Sequence, residues 1–152
     1  MTPEPPPLDR LRLGRTAAWL AKQVEIGLDS VGLSAPQYRV LGLLDESSAV
    51  SSALAERLAV RPPSVTAVVD GLVARGLVER RTVASDRRRV DHVLTVEGLR
   101  VLELADAAVD ARLCDIAGCL DDRAGAERAL DGLAAWRPAF GAWRAARQQV
   151  AR

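Results

Sequence analysis

The chain has 152 residues, enough for one compact domain or a domain with an extension. Hydrophobic residues make up 49% of it, which excludes wholesale disorder. The formal net charge of +1 says little about a polyanionic partner, but its distribution says more. From Arg61 to Arg89 seven arginines stand against Asp70, Glu79 and Asp86, a local +4 that leaves −3 for the rest. Lysine occurs once, at Lys22, a skew that reads as genomic base composition rather than as chemistry at each position.

Residues 1–7 are a proline-rich tail, expected to be flexible and extended. The start "MTPEPPPLD" lacks the basic-then-apolar pattern of a signal peptide, and no run of about 20 apolar residues exists to span a membrane. A cytoplasmic protein is expected. Residues 8–31 read as a helix. Leu13, Ala17, Leu20, Val24, Leu28 and Val31 form one stripe, and Leu8, Trp19 and Ile26 a second, roughly 130° away. Two apolar faces suit a helix that touches its own domain and a partner chain. "LSAPQY" then starts a second helix, with Ser34 as N-cap, Gln37 completing a capping box, and Leu33 and Tyr38 at staple positions. Val40, Leu41, Leu43 and Leu44 carry its core face to about Glu46.

"SSALAERL" predicts a short helix capped by Ser51, with Leu54, Ala55 and Leu58 inward. After "AVRPP", Pro62 and Pro63 open the next helix, whose buried stripe is Val65, Val68, Val69, Leu72 and Val73 and whose C′ residue is Gly76. "LVERRTV" and "RVDHVLT" flank "ASDRR" as a two-stranded hairpin, placing the arginine run at its tip, with Val90, His92 and Leu94 on one face. Thr95 caps a long helix with a stripe through Leu99, Leu102, Ala105 or Asp106, Val109, Leu113 and Ile116. Asp121 or Asp122 caps the last helix. There Ala129, Leu133, Trp136, Phe140 and Trp143 recur at coiled-coil spacing, and Pro138 should kink or interrupt the helix. Cys114 and Cys119 sit five apart, a spacing that suits neither a CxxC site nor one helix face, so they read as reduced, packed thiols, with a redox switch as the alternative.

Short helix, tight turn, second helix and hairpin make a winged helix-turn-helix. The fold class is therefore mainly α with a small β-hairpin wing, a winged helix-turn-helix flanked by N- and C-terminal helices, which the two-faced first helix and the coiled-coil-like seam of the last suit to dimerisation. The domain spans 33–96, and the helical dimerisation region 8–32 and 97–148. Such a domain docks its second turn helix in the major groove while the hairpin reaches the neighbouring groove. Clustered wing arginines can meet phosphates or enter the electronegative minor groove.

With "LSAPQYRVLGLL", "LAERLAVRPPSVTAVVDGLVARGLVERR" and "SDRRRVDHVLTVEG", the chain resembles the MarR family of transcriptional regulators from about residue 8 to 147. The resemblance implies a homodimer on a pseudo-palindromic operator, acting as a repressor. It makes Arg88 the minor-groove residue, Asp86 its ion-pair support, and Arg87 and Arg89 phosphate contacts or bystanders. Arg80 and Arg81 complete the basic face of the wing. On the recognition helix the outward set is Pro63, Ser64, Thr66, Ala67 and Asp70, with Arg61 at its start. Ser64 and Thr66 can bond phosphates or bases, and the Thr66 and Ala67 methyls can touch thymine. Apart from Arg61, no arginine or asparagine is placed for a bidentate base contact, a departure from the family. Phosphate contacts, the wing and DNA shape should therefore carry more of the recognition than usual.

Leu13, Leu20, Leu133, Trp136, Phe140 and Trp143 are the expected dimerisation residues. The family's release by small aromatic or anionic molecules suggests a pocket near Arg12, Arg15, Trp19, Tyr38, Arg39 and His92, where arginine would pair a carboxylate. His92 stands where relatives tend to carry an aliphatic residue. It reads either as a hydrogen-bonded histidine under the wing or as a pH or ligand sensor. One histidine without nearby cysteines or an acidic cluster gives no metal site, and no cofactor is expected. The sequence holds no GxSxG, HExxH or P-loop, so an enzyme is not expected. Ligand-independent or activating regulation stays open. A helical protein–protein adaptor would explain the terminal helices but not the arginine hairpin.

Overall fold

The computed structural model describes residues 12–83 and 86–150, and side chains within that range except at 83, 86–88 and 147–150. In order the elements are α1 (Leu13–Asp29), α2 (Ala35–Glu46), α3 (Ser51–Leu58), α4 (Pro62–Ala74), β1 (Val78–Val83), β2 (Asp86–Leu94), α5 (Val96–Ala117), α6 (Arg123–Ala134) and α7 (Trp136–Val150). This is a winged helix-turn-helix between terminal helices.

Local chemistry sets most boundaries. Ser34 accepts from the Gln37 amide while the Gln37 side chain accepts from the Ser34 amide, the reciprocal capping box of α2. Thr95 caps α5 through the Gly98 amide, and Asp122 caps α6 through that of Gly125. Helix α1 ends at Asp29, two residues before the expected Val31, because the chain turns at Gly32, whose φ is +65°. The expected start at residue 8 lies outside the described residues. Gly76 closes α4 with φ +71°, as a C′ glycine should.

Three further boundaries differ from expectation. Ser51 does not cap α3. It is the first helical residue, behind an extended Val50, and its hydroxyl turns to His92 instead. The final helix is two helices, broken at Ala135 rather than at Pro138 itself. Proline at 138 lacks the N–H that would bond the carbonyl four residues back, at Ala134, and its ring crowds that carbonyl. Pro138 therefore sits in the first turn of α7. Finally, β2 begins at Asp86, so Arg87–Arg89 belong to the strand rather than to the tip.

The core joins α1, α2, α3, α4, the turn into β1, and α5. Leu28, Val40, Leu41, Leu54, Val65, Val69 and Leu72 are fully buried, with Leu102, Ala105 and Val109 of α5 closing the layer. The stripe of α5 thus runs through Ala105. Its neighbour Asp106 is exposed and accepts a hydrogen bond from the Tyr38 hydroxyl. Gly27 lies against the Val109 backbone, where an added Cβ would meet its Cα at 3.2 Å; this closeness lets α1 and α5 cross. Arg112 of α5 donates twice to Gln23 Oε1 of α1, at 2.9 and 2.6 Å, fixing that crossing. Leu13 and Trp19 in the first half of α1 remain exposed, as does Ile26, so the helix packs on its own domain mainly through Val24 and Leu28.

Candidate nucleic-acid interface

Pro62 and Pro63 occupy the first two positions of α4, removing two amides that would have no helical partner, while Ser64 N bonds Arg61 O at 3.0 Å. Val65, Val69 and Leu72 anchor the inner face, which leaves Pro63, Ser64, Thr66, Ala67 and Asp70 exposed together on the outer one. Arg61 is exposed at the N-cap. The Thr66 hydroxyl donates to Pro62 O at 3.2 Å. Its proton is therefore engaged within the helix, leaving lone pairs and a methyl to face outward. Ser64 is thus the better phosphate donor of the pair.

The wing is an antiparallel ladder in strict register from Val78↔Leu94 to Thr82↔Val90. The next pair is Val83↔Asp86. The register slips there by three residues, so Arg87, Arg88 and Arg89 have no opposite number on β1. The arginine run fills a bulge, a device that bends a strand and re-aims what it carries. The side chains of Asp86, Arg87 and Arg88 lie outside the described residues, and with them the expected Asp86–Arg88 pair. The other wing arginines are exposed and each meets a carboxylate: Arg80 with Asp70 of α4, Arg81 with Glu79, and Arg89 with Asp91 at 2.9 Å. Such surface pairs are worth about 0–1 kcal/mol each, so a phosphate can replace a partner at little cost. The Arg80–Asp70 pair also braces the wing against α4.

Sequence reasoning missed a third element of the wing. Ala49 pairs with His92 on the free edge of β2, with His92 N donating to Ala49 O at 2.8 Å and Ala49 N to His92 O at 3.2 Å. One residue of bridge gives no alternating pattern to read. His92 itself is buried, and its Nε2 lies 2.8 Å from Ser51 Oγ. Burial, then the nearby Arg80 guanidinium, lowers its pKa below the ordinary 6.5.

The residues expected to form a ligand pocket are not brought together. Tyr38 and Arg39 line a cleft of about 690 Å³ between α2, the end of α3, α5, α6 and α7. His92 lines a separate slot under the wing with Ser51, Ser52, Arg80 and Arg89. Arg12, Arg15 and Trp19 are exposed along α1 and are not among the walls of either. The missed walls of the cleft are Arg57, Arg137 and Arg144, beside Leu133, Trp136, Phe140 and Trp143. Their signal was present: "WR" occurs at 136–137 and again seven residues later at 143–144, two helical turns on the same face.

Polar contacts tie the cleft together. Glu46 of α2 receives Arg57, and Arg137 at 3.2 Å; the Arg57 hydrogen bond holds its carboxyl below the usual range. Arg39 reaches Leu58 O and Arg144 reaches Arg57 O, each at 3.5 Å, so two guanidiniums sit at the C-terminal end of α3. Burial, and the hydrogen bond to Asp106, raise the pKa of Tyr38 and keep it a neutral phenol. The Trp136 and Phe140 rings lie 5.9 Å apart, tilted by 39°. No three His, Cys, Asp or Glu among the described residues cluster as a metal site requires, and no helix among them is long and apolar enough to cross a membrane.

A winged helix-turn-helix with an exposed recognition helix and a basic wing defines a DNA-binding module. The sequence signature of the MarR family matches residues 31–89. The chain is 33% identical over 100 residues to the HTH-type transcriptional repressor Rv2887 of Mycobacterium tuberculosis, covering 65% of this chain and 72% of that one. CouR from Rhodococcus jostii RHA1, solved bound to p-coumaroyl-CoA, superimposes with a TM-score of 0.65 at 29% identity, over 82% of this chain and 90% of CouR. The transcriptional repressor CouR bound to a 23-mer DNA duplex gives 0.67 at 30% identity, over 81% and 87%. The chain belongs to the MarR family of winged-helix, DNA-binding transcriptional regulators.

Proposed function

We propose that the protein is a homodimeric repressor that binds a pseudo-palindromic operator in the cytoplasm and is released by an aromatic, anionic effector. The observation that carries the DNA half is the exposed face of Pro63, Ser64, Thr66 and Ala67 beside a wing whose arginine run occupies a bulge. In this reading α4 enters the major groove, Ser64 and Arg61 contact backbone or base edges, and Arg88, supported by Asp86, enters the minor groove. Arg80, Arg81, Arg87 and Arg89 exchange carboxylates for phosphates. Residues 33–96 are then the DNA-binding domain, and 8–32 with 97–148 the dimerisation region.

Dimerisation is supported by the apolar surface the single chain leaves exposed. Leu13, Trp19, Ile116, Leu120, Leu133, Trp136, Phe140 and Trp143 are all at least 41% exposed, more than a monomer of this size usually tolerates in one helical region. Selection of genomic fragments by the purified protein tests the DNA reading. Enriched fragments should share half-sites one helical turn apart, about 10 bp centre to centre. Absence of any enriched sequence would count against it.

The effector half rests on the cleft, where Arg39, Arg57, Arg137 and Arg144 surround Tyr38, Trp136, Phe140 and Trp143. An aromatic ring can stack there while an anion competes with Glu46 for Arg57 and Arg137. Because Arg57 and Leu58 end the first helix of the turn, such competition reaches the α3–α4 connection. p-Coumaroyl-CoA, the molecule bound by CouR, is a suitable probe. It should quench tryptophan fluorescence, and R137A/R144A should weaken that response about tenfold, as loss of charge-assisted bonds would. If neither this thioester nor p-coumarate changes the fluorescence or the DNA affinity at millimolar concentration, the effector half fails and the DNA half stands.

A further inference from the structure

His92 is the chain's single histidine, and its side chain sits where three segments meet. Its backbone pairs with Arg80 of β1 on one side and with Ala49 on the other. Its ring bonds Ser51 in the first turn of α3. One residue thus joins both sides of the wing ladder to the first helix of the turn. At 4% exposure, its Nδ1 is buried with no hydrogen-bond partner among the described residues.

A neutral imidazole suits this seat, because one ring nitrogen shares the Ser51 hydrogen bond and the other need not donate. An imidazolium does not suit it. Both nitrogens would then carry a proton, and the Nδ1–H would lie buried without an acceptor. The charges that act on the ring are Arg80 of β1, Asp91 of β2 and Asp70 of α4, with Arg89 lining the same slot. The two carboxylates are already engaged, Asp70 by Arg80 and Asp91 by Arg89. From α3 the slot receives only Ser51 and Ser52, and α2, which also packs on β2, contributes none of these charges.

We propose that His92 is a positioning residue that seats the wing on α3 only while its imidazole is neutral, so that protonation unseats the wing and weakens DNA binding below neutral pH. The proposal rests on the DNA-binding reading above. The sign follows from linkage. The seated histidine has its pKa lowered from 6.5, so an unseated, solvated ring binds more protons than a seated one. The seated form is fully favoured above about pH 6.5 and loses ground as pH falls through that value toward the lowered pKa. General electrostatics act the other way, since acid makes the protein more cationic and DNA binding tighter.

The test is fluorescence anisotropy of a labelled duplex carrying the DNA upstream of the protein's own gene, from pH 8 to pH 5 at constant ionic strength. The native protein should lose about threefold or more in affinity, whereas His92→Gln, with no titrating ring, should stay level or bind more tightly in acid. Parallel profiles for the two overturn the proposal. NMR of the lone histidine ring in the native protein makes the test independent of any variant. Its titration midpoint should lie below 6.5 and coincide with the fall in affinity; a ring that titrates without a change in affinity also overturns it. Failure of the DNA reading looks different: neither protein binds the duplex even at pH 8, and the proposal falls with it.

Discussion

Arg88→Ala is expected to weaken operator binding about 5- to 150-fold, corresponding to about 1–3 kcal/mol for a lost groove contact. The expectation comes from what the rest of the interface lacks. The outer face of α4 carries Pro63, Ser64, Thr66 and Ala67, none of which can make a bidentate contact to a base, and the Thr66 proton is already engaged by Pro62 O. The burden of affinity then falls on the guanidiniums of the wing. Arg88 is the middle residue of the three that the slipped register leaves without partners on β1. Ser64→Ala should cost less than Arg88→Ala, because it removes one hydrogen bond from an uncharged donor, whereas Arg88→Ala removes a charge and several donors at once. Titration of both variants against the selected operator decides the matter. Unchanged affinity in Arg88→Ala, with binding abolished by Ser64→Ala, would make α4 rather than the wing the principal reader.

The second large effect is on folding. Gly98→Ala should destabilise the protein by about 3 kcal/mol or more, lowering Tm by roughly 10 °C. Gly98 lies in the first turn of α5, where its amide donates to the Thr95 hydroxyl at 2.9 Å. Thr95 in turn bonds Gly76 O through its side chain at 2.8 Å and Leu77 O through its amide at 3.1 Å. The end of α4, the start of the wing and the start of α5 are knotted at this point. A Cβ on Gly98 would stand 2.0 Å from Leu77 O and 2.9 Å from Leu94 Cδ1. The first of these is backbone and cannot swing aside, so the knot must open. Alanine's better helix propensity, about 1 kcal/mol, does not offset this. Gly132→Ala, in the interior of α6 with nothing within 4 Å of its added Cβ, is the matched control and should be neutral or slightly stabilising. Thermal unfolding of the two variants separates crowding from propensity. Equal Tm values would remove the close-approach explanation.

How far the sequence could be read depended on the range of the interaction. Caps are local: Ser34 with Gln37 and Thr95 with Gly98 stand three residues apart, and both were legible. So were the helix stripes, since burial repeats at 3.6 residues, and the glycine at the end of α4. Gly98 was visible as part of a family motif, but its reason was not, because Leu77 O comes to it from 21 residues away. Ser51 resembled a cap by the same local rule, yet a histidine 41 residues on takes its hydroxyl. The Ala49 bridge and the bulge at Arg87–Arg89 are matters of strand register, which composition does not encode. The cleft was half legible. Tyr38 and Arg39 were named, but grouping them with Arg12, Arg15 and Trp19 assumed that the start of α1 lay over α2. The break at Ala135 instead places Trp136 and Trp143 with their arginines beside α2 and α3.

Phosphate-led recognition of one DNA site is measured directly by the salt dependence of operator affinity. If the wings and recognition helices neutralise about six phosphates or more, log affinity should fall with log salt at a slope of about −5 or steeper, close to 10³-fold between 50 and 200 mM. The operator should stay ahead of a scrambled duplex throughout. A flat dependence, or equal affinity for operator and scrambled DNA, would contradict it.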